Sequence, residues 1–247
     1  MKRTPLLLVL LLLAASLLSA APKKKLLYLN HSAGFQHETA KTSGPLMEEL
    51  ARKTGAFDIT VTGDCSTLTA ANLKNYDAVL FYTTGELPIS QEQQRALLDF
   101  VRGGKGFAGV HSATDTFYKW AEYGELIGGY FDLHPWNQNV RIKVEDRDHP
   151  ATRHLGQSFE MHDEIYQFRN WSRQKVHVLL SLEVSSVDLN KKEVRRTDQD
   201  FGLAWTSRYG KGRVFYTALG HRPEVWADER FQTHLINGIR WAMGDLK

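Results

Sequence analysis

The stretch GFAGVHSATD, Gly106–Asp115, decides how this chain is read. Phe107, Ala108 and Val110 form a short apolar run that stops on His111, and small residues follow. Such a run fits a strand buried on both faces, as in a parallel sheet. Ligands of open parallel sheets bind at the carboxyl ends of the strands. An imidazole at that end is therefore placed to floor a pocket. Ser112 and Ala113 let the chain turn sharply, and Gly109 permits close packing. The shape G-x-H-x-A copies the nucleophile elbow G-x-S-x-G, with histidine in the nucleophile's place.

The flanking sequence supplies the rest of the sheet. Leu26–Ser32 (LLYLNHS), Phe57–Asp64 (FDITVTGD) and Tyr76–Thr84 (YDAVLFYTT) read as strands. Between them, Gly44–Gly55 carries Leu46, Met47, Leu50 and Ala51 on one helical face. Ser90 and Gln93 form a capping box ahead of Ala96, Leu97, Phe100 and Val101, and Gly103-Gly104 ends that helix. Strands alternating with helices predict a flavodoxin-like, doubly wound, mostly parallel α/β sheet. The second half is less regular. Val140–Asp146 and Val176–Glu183 read as strands, and LAWTSRYGKGRVFYTALGH as an antiparallel hairpin turning at Gly210-Lys211-Gly212. A helix through Phe231, Leu235, Ile239 and Ala242 closes the chain. Val187–Asp200 reads as a charged, solvated loop.

The amino terminus predicts export. Lys2 and Arg3 precede an apolar run, Leu6–Leu18, and Ser19-Ala20-Ala21 offers small residues for cleavage. The run falls short of the ~20 apolar residues of a bilayer span. Residues 1–21 are thus expected to be a signal peptide and 22–247 a periplasmic or extracellular domain with no membrane contact. Losing residues 1–21 takes the formal net charge from +3 to +1. A near-neutral domain gives no support for nucleic-acid binding. Cys65 is the only cysteine, so the fold stands without a disulfide.

Three histidines fall at strand ends: His31, His111 and His221. Chance placement of one carries little; three together predict a shared site.

HSAGFQHE (31–38), GFAGVHSATDTFYKWAEYGELIGGYFDLHP (106–135), DHPATRHLGQSFEMHDEIYQF (148–168) and GKGRVFYTALGH (210–221) together resemble the ThuA-like, or trehalose-utilisation, family. The resemblance spans nearly the whole domain in order. It implies a fold related to the class I glutamine amidotransferases and a role in carbohydrate metabolism, on disaccharides or keto-sugars. The elbow cysteine of the amidotransferases is here His111, and their late H-P-E motif is here GHRPE, with His221 and Glu224 one residue further apart. Glutaminase activity lacks its nucleophile.

Histidine near neutrality gives or takes a proton, and a carboxylate orients it or acts as base. His111 and Glu164 are the expected central acid/base pair, with His31 and His221 as partners. His31, His111 and His221 are also the expected ligands if one divalent metal such as zinc is bound; without H-E-x-x-H or C-x-x-C spacing they must come from separate strands. No nucleotide cofactor is expected. Substrate contacts are expected from His37, Asp115, Tyr118, His134, Trp136, Asp163 and Tyr166. The aromatics after His111 read mainly as core, since YGELIGGYF has helical spacing, with Tyr118 and Trp136 as pocket walls. The residues leave open a rival of another class, a non-catalytic sugar-binding protein with a reused pocket. They also leave open the oligomeric state.

Overall fold

The computed structural model describes residues 22–247, so the expected signal peptide lies outside the described residues. In chain order, β1 (Lys25–Ser32), α1 (Glu38–Thr54), β2 (Asp58–Thr62), α2 (Ala70–Leu73), β3 (Ala78–Thr84), α3 (Gln91–Arg102) and β4 (Gly106–Val110) build the first half. Then come α4 (Ala121–Ile127), β5 (Tyr130–Val144), β6 (Ser158–Arg169), β7 (His177–Leu182), β8 (Gly202–Tyr209), β9 (Gly212–Thr217), α5 (Pro223–Ala227) and α6 (Glu229–Ala242). The nine strands form one sheet in the order β2-β1-β3-β4-β9-β8-β7-β5-β6.

The first five strands in that order pair in parallel, as the alternation predicts. β3 and β4 are buried along their whole length because helices cover both faces. Tyr82 stacks on Trp226 of α5 on one face, and Phe81 and Phe107 meet Tyr123 of α4 on the other. The capping box of α3 is present, with Leu98 joining Leu97 and Val101 in the core. Helix α1 begins six residues before the expected Gly44, at Glu38, with His37 as its N-cap. That extension carries His37 up to the sheet.

The antiparallel part is larger than the expected hairpin. β8, β7, β5 and β6 all pair antiparallel beyond β9. The helical spacing of YGELIGGYF holds only to Ile127; Tyr130 and Phe131 open β5. β5 meets β7 only over Ile142–Val144, whereas it pairs with β6 along nearly its whole length. Tyr130–Val140 therefore pairs with β6 alone, and Tyr166 and Asp163 of β6 reach His111 after β4 and Gly220 after β9. The register shifts between Phe131 and Leu133 and again between Leu133 and Trp136; the second spans His134-Pro135, where proline has no N–H for a ladder.

His234 of α6 is buried, with its Nδ1 2.8 Å from Ala151 O. Burial pushes its pKa down to about 3. The unfolded chain protonates this group near ~6.5. Its contribution to stability is therefore complete above that pH and is lost as the pH falls towards the folded value. His234→Leu is expected to shrink the stability difference between pH 6.5 and pH 4.5 by about 2–3 kcal/mol. Urea unfolding of both proteins at the two pH values checks this.

Candidate active site

β4 ends at Val110, and the chain enters a tight 3-10 turn, His111–Thr114. His111 has φ 46, a left-handed conformation uncommon outside glycine. This is the strained geometry of an elbow, with histidine at its apex. A Cβ on Gly109 would lie 3.0 Å from Ala113 Cβ and 3.1 Å from Tyr216, so the turn packs onto a bare backbone. Tyr216 donates to His111 O at 2.6 Å, and Tyr123 to Ala113 O at 2.8 Å. Two buried phenols thus fix the strained turn from below.

The imidazole of His111 is fully buried. Its Nδ1 lies 2.7 Å from Ala218 O, so Nδ1–H donates there and Nε2 is the atom left facing the site. Three polar groups converge on that atom: Tyr166 Oη at 2.9 Å, His221 Nδ1 at 3.2 Å and Glu164 Oε2 at 3.6 Å. Glu164 and Tyr166 are two apart on β6, so the pleat sends both to one face. Glu164 Oε2 also lies 3.3 Å from His221 Nδ1, while Oε1 lies 3.5 Å from Nδ1 of half-exposed His134. His37 closes the group from the start of α1, its ring centroid 4.9 Å from that of His111 and 5.3 Å from that of His221.

Electrostatics set the protonation states. Burial pushes the Glu164 carboxyl up, but His111, His221 and His134 outweigh it and hold Glu164 below its ordinary value. Burial, then the charges of His111 and His221, lowers His37 to about 3. Burial and His111 likewise lower His221. Burial holds the Tyr166 phenol well above its usual range. The site therefore presents one carboxylate, a phenol that stays protonated, and imidazoles at His37 and His221 biased to neutrality.

One donor atom from each of His37, His111, Glu164 and His221 lies within 4.8 Å of every other. This buried group could hold a metal ion. The donor set suits it, and His111 has the tautomer of a metal ligand whose outer N–H is tied to a carbonyl. His37 Nδ1 is buried without a hydrogen-bond partner.

The structure redistributes several expected residues. His31 is not in the group; its Nδ1 turns to Gly63 O, 2.8 Å away in the loop after β2, and His37 stands where His31 was expected. Trp136 is a core residue, fully buried against Phe201 with its indole N–H on Asp188 O. Asp163 lies within β6, buried, and accepts from Gly220 N at 2.7 Å and Arg222 N at 3.2 Å. It ties down the loop that carries His221. Tyr118 is half-buried and donates to Asp115 at 2.5 Å, with the Arg169 guanidinium over its ring. Glu224 of the GHRPE motif is exposed beside Arg222. Cys65 sits in a turn after β2, its thiol pushed up to about 11 by burial and Asp64.

The ThuA profile, described as trehalose utilisation, matches residues 25–242. The chain belongs to the ThuA family. A ThuA-like protein of Bacteroides uniformis is 27% identical, with a TM-score of 0.76 over 93% of this chain and 95% of that one. A ThuA-like protein of Parabacteroides merdae is 21% identical, with a TM-score of 0.72 over 92% and 91% of the two chains. A β-galactosidase from Bacillus circulans sp. alkalophilus shares the fold alone, at 13% identity and TM-score 0.56, over 91% of this chain and 31% of that enzyme. No curated protein matches. Among the described residues no helix is long and apolar enough to cross a membrane.

Proposed function

We propose that this ThuA-family protein is an exported hydrolase or lyase acting on a carbohydrate-derived small molecule, a disaccharide or keto-sugar. The observation that carries the reading is the convergence of Tyr166, His221 and Glu164 on Nε2 of His111 at the end of β4. Three hydrogen-bonding or titratable groups gathered around one buried imidazole nitrogen suit proton transfer far better than fold stability, since such groups are costly to bury. The family's description, trehalose utilisation, supports the substrate class. With histidine at the elbow and the one cysteine remote from it, the site is not that of a glutaminase.

Each residue has a definite task. Glu164, held ionised, takes a proton from a sugar hydroxyl or carbon. Tyr166, held protonated, keeps an O–H in the site, to donate to His111 Nε2 or to negative charge that develops on a substrate oxygen. His111, with Nδ1–H committed to Ala218 O, accepts or returns a proton at Nε2. In the metal-assisted alternative, His37, His111, His221 and Glu164 are the residues that would hold a divalent metal such as zinc, and Glu164 and His111 would serve as ligands instead of base and proton carrier. When bound, such an ion supplies Lewis acidity and acidifies a coordinated water.

Glu164→Gln keeps the size of the side chain and removes its basicity. Turnover of a disaccharide such as trehalose, or of a keto derivative, is expected in the wild type and is expected to fall about 10²–10⁴-fold in the variant. A wild type that binds these sugars without converting them, together with an unaffected Glu164→Gln, would instead make it a sugar-binding protein.

A further inference from the structure

Phe35 is the one large hydrophobic side chain that stands exposed among the described residues, at 66%. Exposure alone carries nothing, because single apolar residues on a surface are ordinary. Its position does. Its ring makes an edge contact with His37, centroids 4.8 Å apart. It therefore stands directly over one of the four clustered groups.

The backbone beneath it is fixed. Ala33 N and Gly34 N donate to Thr84 O at 2.9 and 3.2 Å, and the Thr84 hydroxyl donates to Phe35 O at 2.8 Å. Three hydrogen bonds to the end of β3 thus hold the loop, and the ring projects from a preorganised support. Preorganisation lowers the ordering cost of binding.

His37, which this ring touches, is also a wall of a cavity of about 400 Å³ between the ends of β1 and β2 and the start of α1. That is within the range of small-molecule pockets, ~300–1,000 Å³. His37 lines it, so the cavity adjoins the clustered site. Its other walls include Asn30, His31, Gln36, Lys41 and Thr62, all able to hydrogen-bond. An aromatic ring and a cavity of donors and acceptors that meet at His37 match a ligand with one apolar face and a hydroxylated rim. A pyranose ring has that form, its axial C–H bonds making the apolar face.

We infer that Phe35 and this cavity form a sugar subsite, with a pyranose ring on Phe35 and its hydroxyls on His31, Gln36 and Lys41. The inference rests on the functional reading above. It gives His31, displaced from the His/Glu group, the task of holding substrate next to that group. A disaccharide seated here would direct its second ring or its linking oxygen towards His37 and the buried groups behind it.

Isothermal titration of trehalose, maltose and cellobiose into the purified protein tests the subsite, using wild type, Phe35→Ala and Phe35→Trp. Phe35→Ala is expected to weaken binding about tenfold, with Phe35→Trp at or near the wild-type affinity. The exposed ring makes folding an unlikely confounder, and circular dichroism checks it. Equal affinity of wild type and Phe35→Ala for a bound disaccharide overturns the subsite and leaves the His/Glu reading standing. A wild type that binds none of the three overturns both.

Discussion

His111→Ala is expected to lower turnover at least about 10³-fold while leaving the fold intact, because Nε2 is the atom on which the site converges. Tyr166, His221 and Glu164 would lose their common partner together, so the loss is expected to exceed that from any one of them. The elbow supplies its own control. At φ 46 a glycine is easier to accommodate than alanine, by ~1 kcal/mol. His111→Gly is therefore expected to be at least as stable as His111→Ala and equally inactive. Thermal unfolding and turnover measured on the same preparations check both statements. Activity in His111→Gly near that of wild type would remove His111 from the chemistry.

Asp163→Ala is expected to have the largest effect on stability. The carboxylate brackets His221, accepting from Gly220 N on one side and Arg222 N on the other. Gly220 has φ +116, and its carbonyl is held by the Trp226 indole N–H and the Tyr82 hydroxyl. This part of the loop is built to one shape, and Asp163 is the acceptor that closes it. Removing the carboxylate strands two backbone donors, one of them fully buried, at a cost of about 1–3 kcal/mol each. Against this stands the cost of burying the carboxyl, which pushes its pKa up to about 6 despite His111 and the backbone donors. The net expectation is about 2–3 kcal/mol, or a fall in Tm of about 5–10 °C. Activity should fall as well, since His221 loses its support. An unchanged Tm with unchanged turnover would show that the loop holds His221 without Asp163.

The parallel half of the fold was legible because it is periodic. Short apolar strands, a capped amphipathic helix and an elbow each have a local signature, and each is where it was expected. The site was half legible for the same reason. His111 directly follows β4 and His221 lies in the loop just past β9, whereas His37 precedes a helix whose start is masked by the polar run HETAKTSG, so only its place in the HSAGFQHE block pointed to it. β6 was hidden differently. Asp163, Glu164 and Gln167 are buried polar residues, and they break the apolar pattern that marks a strand. A functional strand pays for its chemistry in legibility.

Trp136 shows the opposite error. An aromatic beside His134-Pro135 looked like a pocket wall, but the β5 bulges bury it on Phe201. The charged segment Val187–Asp200 also proved to be more than a solvated tip. Asp188 O receives the Trp136 indole N–H, and Gln167 Oε1 accepts from Arg195 N. Arg196 lies over the Trp171 ring and donates to Phe168 O, and Arg195 pairs with Asp132 of β5, so part of the segment's charge is packed against the fold, which composition alone does not reveal.

The central claim is that His37, His111, Glu164 and His221 act as one centre. Turnover of disaccharides and their keto derivatives by the purified wild type, beside single alanine variants of the four and the double variant His111→Ala/Glu164→Ala, tests it most directly. The account predicts that each single variant loses at least about 10²-fold and that the double variant loses little more than the worse of its two singles, as groups that act as a unit do. Wild-type turnover in any of the four, or losses that multiply in the double variant, would contradict it.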